Sequence, residues 1–248
     1  MDQAKKLVAV IPDSCVLLNS CMDAAGHDDV HPKEISASRD LMEFIKAYGI
    51  GVVTEDLLKS TVHTRAAYDF SEREWAMFMQ LVKDLPRIAV PYEKITANLE
   101  LVESAYADAR KKFDETVNGL LCSSTDIKKS KKKGVVSNRK FKKWARKVSG
   151  IIDSNEFEIL KKKLYQDPAD DNDRYLLSLG RVLKEDYQNV YIATEDAHMR
   201  PLVYCGEVGY VIYDQILQKL GVRCIQPRFV QKSVSRILRN AGVLEEQS

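Results

Sequence analysis

No uninterrupted apolar run in the 248 residues approaches the roughly 18 needed for a spanning helix, so the sequence predicts no membrane segment. A signal-peptide layout is also missing. Met1-Asp2-Gln3-Ala4-Lys5-Lys6 leads straight into a short apolar run. Cysteine is sparse and unpatterned: Cys15, Cys21, Cys122, Cys205 and Cys224 are odd in number and form no C-x-x-C pair. That argues against a disulfide framework and points to free thiols in a reducing, cytoplasmic setting. The chain has neither a G-x-x-x-x-G-K-[ST] phosphate loop nor a G-x-G-x-x-G turn, which removes the common nucleotide-binding classes. Acid is absent from Lys128 to Lys147, where nine Lys and two Arg accumulate. The formal net charge is +2, so setting those 11 charges aside leaves −9 on the remainder. A mildly acidic body carries one strongly basic segment.

What is present reads as alternating strands and helices. Leu7-Val8-Ala9-Val10-Ile11 is an unbroken apolar run, suited to a strand buried on both faces of a parallel sheet. Helical spacing follows over 38–50, with Gly49 as its stop. Gly51–Val53 is a second short strand, and Thr54 is placed to cap the next helix, with Glu55 and Asp56 in its first turn. Further helices are expected over 71–84, 93–121, 154–165 and 167–185, and over 208–220. Arg87–Tyr92 is a strand or an extended connector, Val190–Thr194 is a strand, and Val222–Ile225 is the last strand. Residues 128–137 read as a loop, 138–148 as a short helix, and 228–238 as an amphipathic tail. This order predicts a right-handed parallel α/β fold.

Acids gather at the predicted strand ends. Asp13 follows the first strand, Glu55 and Asp56 the second, and Asp196 the fourth, while Asp170, Asp171 and Asp173 open a helix. Open parallel sheets bind ligands beyond the carboxyl ends of their strands. Clustered carboxylates repel one another, and a divalent cation relieves that repulsion. Taken singly, each Asp also suits a turn or a helix cap. Glu195 reads as a solvated residue. His27, Asp28, Asp29 and His31 lack the partners of a zinc pattern and read as a polar surface loop. Cys15 stands where a dehalogenase-type phosphatase would carry a second Asp.

The ordered segments VAVIPDSCVLL, GIGVVTEDLL, DNDRYLLSLGRVL, VYIATEDAHM and GVRCIQP resemble the PIN-domain family of metal-dependent ribonucleases. The resemblance covers roughly residues 5–100 and 166–227. It implies a three-layer α/β/α PIN-like fold over 1–227 with a central parallel sheet. A basic, mostly helical insertion would interrupt it at about 120–165, and a tail would follow at 228–248. It further implies that Asp13, Asp173 and Asp196 hold Mg²⁺ or Mn²⁺, that Thr194 is the hydroxyl residue preceding the last acid, and that the ion activates water for phosphodiester hydrolysis. Two positions depart from the family pattern. Ser60 stands where the second helix usually carries Glu, leaving Asp56, four residues earlier, as a substitute ligand. Cys15 stands where a small polar residue is common.

The basic segment adds a nucleic-acid expectation. Lys131, Lys132, Lys133, Arg139, Lys140, Lys142, Lys143 and Arg146 would neutralise RNA phosphates, with Phe141 and Trp144 interleaved for stacking. Together these features predict a metal-dependent endoribonuclease acting on single-stranded or structured RNA, with DNA as an open alternative. Two other readings stay open: a non-catalytic RNA-binding or scaffold protein on a degenerate PIN fold, and a toxin-like nuclease held by an antitoxin or other protein partner.

Overall fold

The computed structural model describes residues 7–28, 30–64, 69–85, 87–132, 171–195 and 216–244, with residues 146, 150 and 158. It is a mixed α/β structure. Strand β1 (Val8–Pro12) is followed by helices α1 (Ser14–Asn19), α2 (Pro32–Tyr48), α3 (Glu55–Thr64), α4 (Glu72–Asp84) and α5 (Tyr92–Lys132). Helix α6 (Asp171–Leu183) leads to strand β2 (Asn189–Ala193), and strand β3 (Arg223–Ile225) leads to α7 (Pro227–Asn240).

The three strands form a parallel sheet in the order β1-β2-β3. The register sets Pro12 opposite Ala193 and Ala193 opposite Ile225. Residues 50–53 lie along the free side of β1: the Val10 amide donates to Ile50 O and the Val52 amide to Val10 O, at 2.9 and 2.8 Å. Val53 in turn bridges Arg87 in parallel. Consecutive β1 and β2 residues from Val8 to Ile11 and from Val190 to Ala193 are buried. A run with no polar alternation therefore has both faces covered, as its composition requires.

Parallel strands need helical crossovers, and local chemistry fixes where those helices begin and end. Asp13 caps α1. His31 caps α2, which closes on Gly49 at φ 62°. Helix α2 therefore starts earlier than residue 38, because the His31 ring nitrogen accepts from the Lys33 amide and Pro32 suits a first turn. Thr54 caps α3 as expected, its hydroxyl accepting from the Leu57 amide at 3.2 Å. Helix α6 packs tightly on the sheet. A Cβ added at Gly180 would lie 2.8 Å from Val222 Cγ1.

The chain divides into two compact units. The first comprises Met1–Val102, Asp171–Arg200 and Leu220–Ser248. It holds the sheet and includes α7, whose Val230, Val234 and Leu238 are buried. Helix α7 packs on α2 and β2. The C-terminal stretch read from sequence as a tail thus begins as part of the core, because its apolar stripe finds a partner within the same unit. The second unit comprises Glu103–Asp170 and Pro201–Lys219. There Ala105, Tyr106, Ala109 and Phe113 of α5 are buried, and Lys219 bonds Asp108 at 2.5 Å and Ser104 at 3.1 Å. Helix α5 continues to Lys132, past the residue-121 end expected from sequence. Lysine is a good helix former, and extending a helix adds one hydrogen bond per residue. The helices expected over 138–148 and 154–165 lie outside the described residues apart from residues 146 and 158, and the 208–220 segment is described, as helix, only from residue 216.

The segment read as a polar surface loop also differs. His27 is buried, and its Nε2 lies 2.9 Å from Glu74 Oε1. Glu74 is only 4% exposed and also accepts from the Asp23 amide, the Ser71 amide and the Ser71 hydroxyl. Burial alone would push this carboxyl up, but those hydrogen bonds outweigh it and hold it at about 2.

Candidate active site at the strand tips

Register converts three distant chain segments into one edge. The Asp13 amide donates to Ala193 O and the Thr194 amide to Ile225 O, so the ladder continues one residue past each strand end. Asp13 and Thr194 are therefore neighbours although 181 residues separate them. Asp13 is 5% exposed and Thr194 is fully buried.

The Asp13 carboxylate is held on both oxygens. Oδ1 accepts from the Ser14 amide at 2.5 Å. Oδ2 accepts from the Thr194 hydroxyl at 2.7 Å and from the Cys15 thiol at 3.3 Å. Hydrogen bonds to an ionised carboxylate are short and strong, so this set stabilises the charged form and fixes its orientation. The Cys15 sulfur in turn accepts from the Glu195 amide at 3.4 Å. Burial first, and then the Asp13 charge, pushes the Cys15 thiol up, so it stays protonated and available as a donor.

Asp173 lies in the first turn of α6, partly buried. It reaches the same region electrostatically. Burial pushes the Cys224 thiol up, and the Asp13 and Asp173 carboxylates push it further. One buried sulfur on β3 thus senses both acids. The start of α6 is tied to α3 by two side-chain bonds on either side of Asp173. Ser60 Oγ donates to Asn172 Oδ1 at 3.0 Å, and the Thr54 and Tyr175 hydroxyls meet at 2.7 Å. Ser14 and Thr61 complete the contact between α1 and α3 at 3.0 Å.

Asp56 is placed differently. Its side chain is 58% exposed, and it faces Lys59 at 3.8 Å one turn along α3. Burial first, then the Asp56 charge, pushes the Tyr175 hydroxyl up, with the Thr54 hydrogen bond opposing. Glu195 is not simply solvated. It is half-buried, and its Oε2 accepts from Gln226 Nε2 at 3.1 Å. Asp196 lies outside the described residues, as do Lys133, Arg139, Lys140, Lys142 and Lys143. The backbone of Lys131 and Lys132 is helical, and Arg146 is helical and exposed.

Sequence reasoning marked Cys15 as a poorer hydrogen-bonding partner than the small polar residue common there, whereas its thiol donates to Asp13; it missed Gln226 and Tyr175. The spacing Asp-x-Cys carried the first signal, because a side chain two residues beyond an N-cap Asp can turn back to it. The other two required knowledge of the pairing. Among the described residues, no three His, Cys, Asp or Glu side chains are grouped closely enough to hold a metal ion. The donor chemistry at the edge nevertheless suits a hard divalent cation. Mg²⁺ takes one or two carboxylates and keeps several waters, and Asp13 supplies a fixed carboxylate with Asp173 within electrostatic range of the same sulfur. Comparison of the chain with protein-family models, with curated proteins and with solved structures finds no match.

Proposed function

We propose that this chain is a metal-dependent endoribonuclease on a three-layer PIN-like fold. The observation that carries the reading is Asp13: a buried carboxylate at a parallel strand tip, gripped by the hydroxyl of Thr194 from the neighbouring strand at 2.7 Å. Burying a charge is costly unless it is paired, hydrogen-bonded or bound to a metal. Three donors stabilise this one, and they present it at the edge where α/β sheets bind ligands.

In this reading Asp13, Asp173 and Asp196 hold Mg²⁺ or Mn²⁺. When bound, such an ion supplies charge neutralisation at a phosphate and a lowered pKa for a coordinated water. The protein's own part is positional. Thr194 and Cys15 fix Asp13 Oδ2, the Ser14 amide fixes Oδ1, and the α3–α6 hydrogen bonds set the turn that carries Asp173. Preorganised charge of this kind costs no rearrangement during reaction. RNA would be drawn to the basic segment 128–147, and the acidic remainder would disfavour non-productive contact.

One observation favours a second reading, a non-catalytic RNA-binding protein. At Ser60, where the resembled family carries Glu, a neutral hydroxyl meets a neutral amide of Asn172. The test is incubation of single-stranded RNA and single-stranded DNA with Mn²⁺, with and without chelator. Chelator-sensitive RNA cleavage supports the nuclease. Salt-sensitive RNA binding with no cleavage at any Mn²⁺ concentration overturns it in favour of the second reading.

A further inference from the structure

Helix α7 carries a feature that the candidate site does not use. Its 14 residues contain Arg228, Lys232, Arg236 and Arg239 and no acid. The spacing of four, four and three residues places all four on one helical face. Each is exposed, while Val230, Val234 and Leu238 on the opposite side are buried. Among the described residues none of the four forms an ion pair with a carboxylate. At about 1.5 Å rise per residue the cations recur roughly every 6 Å, comparable with neighbouring phosphates on an extended strand. Phe229, 46% exposed, lies beneath the Arg228 guanidinium at 4.6 Å from the ring centre.

The stripe begins at the strand-tip edge. Arg228 Nη2 donates to Gln226 Oε1 at 3.1 Å, and Gln226 Nε2 donates to Glu195 Oε2 at 3.1 Å. The Glu195 amide donates to Cys15, whose thiol donates to Asp13. A continuous hydrogen-bonded path thus joins the first cation of the stripe to the buried carboxylate, within one compact unit.

We propose that the exposed face of α7 is a backbone track for single-stranded RNA, leading to or from the strand-tip site and lying outside the basic segment 128–147. The proposal rests on the nuclease reading for its direction, since the track ends at the candidate catalytic edge. Four cations with no acid complement a polyphosphate, and the Arg228–Phe229 stack offers a face for an unpaired base. An acidic peptide or an anionic membrane would also be attracted by charge. Neither accounts for a stripe that is hydrogen-bonded into the acid-bearing edge.

The test uses the full chain, a fluorescein-labelled oligouridylate and anisotropy across a salt series, with Asp13→Asn throughout to prevent cleavage. Each phosphate contact to a single strand contributes about 0.7 to the slope of log K against log salt. The triple variant K232Q/R236Q/R239Q, all at exposed positions, is expected to bind at least tenfold more weakly and to lower that slope by about 2. Arginine returned at 236 alone is expected to recover part of both. An unchanged slope and affinity in the triple variant, with its circular dichroism spectrum retained, overturns the track. Stripe-dependent binding to phosphatidylserine vesicles without stripe-dependent RNA binding overturns it in favour of a membrane surface. Stripe-dependent RNA binding by a chain whose wild-type form never cleaves supports the track while sinking the nuclease reading.

Discussion

Replacing Glu74 with Gln removes one charge from a nearly sealed site without changing its shape. Four donors converge on the carboxylate: the Asp23 amide, His27 Nε2, and the amide and hydroxyl of Ser71. Because a carboxylate only accepts, all four are satisfied in the wild type. A glutamine must turn its amide nitrogen toward one pair of donors, leaving that pair unpaired in a buried place. Holding the carboxyl at about 2, against an ordinary 4.5, corresponds to a contribution of about 3 kcal/mol at neutral pH. At about 2–4 °C per kcal/mol for a chain of this size, E74Q should lower Tm by roughly 6–12 °C at pH 7. The pH dependence gives the sharper test. The folded-state pKa is depressed, so the contribution is complete above about 4.5 and is lost as pH falls toward about 2. The gap in unfolding free energy between wild type and E74Q, measured in urea, should therefore shrink by about 2 kcal/mol between pH 7 and pH 3. A gap of the same size at both pH values would refute the assignment of the stabilisation to the Glu74 charge.

Other substitutions probe the strand-tip edge and its support. Thr194→Val removes the 2.7 Å donor from a buried carboxylate and should cost about 1.5–3 kcal/mol; chemical denaturation reads it, and an unchanged midpoint refutes it. Gly180→Ala places a methyl 2.8 Å from Val222 Cγ1 and should cost about 1–3 kcal/mol through overpacking. Its thermal unfolding should recover when Val222→Ala is added, and no recovery would contradict the close approach. Ser60→Glu introduces the acid that the resembled family carries beside Asn172. It should tighten Mn²⁺ binding measured by calorimetry, and an unchanged affinity would place Ser60 away from the ion.

Residues that act on their chain neighbours were legible in the sequence. Asp13 follows an unbroken apolar run and, as an Asp suited to a cap, it caps α1, although the sequence reading placed no helix over residues 14–19. Thr54 caps α3, and Gly49 ends α2 in the left-handed conformation. Helix α4 matches its apolar spacing almost to the residue. What escaped depends on pairing across the fold. His27 reads as surface-like until Glu74, 47 residues away, fills its ring-nitrogen demand. Ser60 meets Asn172 across 112 residues, and Cys15 meets the Glu195 amide across 180. No local pattern encodes such contacts. The short strand expected at Gly51–Val53 consists of isolated bridges, because a glycine and three residues of length leave little ladder to form. The basic face of α7 was visible as a hydrophobic stripe only. Its cations gained meaning once Gln226 connected them to the acid-bearing edge.

The proposed role of Asp13, organising a metal-dependent phosphodiester-cleaving edge, rests on its charge. Single-turnover cleavage of a labelled single-stranded RNA in Mn²⁺, wild type against Asp13→Asn, tests it most directly. Asparagine keeps the size and one acceptor oxygen but removes the charge. Chelator-sensitive cleavage by the wild type is expected, with a loss of at least about 100-fold in the variant, the scale typical of removing one transition-state electrostatic contact. Equal cleavage rates in the two proteins, with RNA binding unchanged, would contradict it.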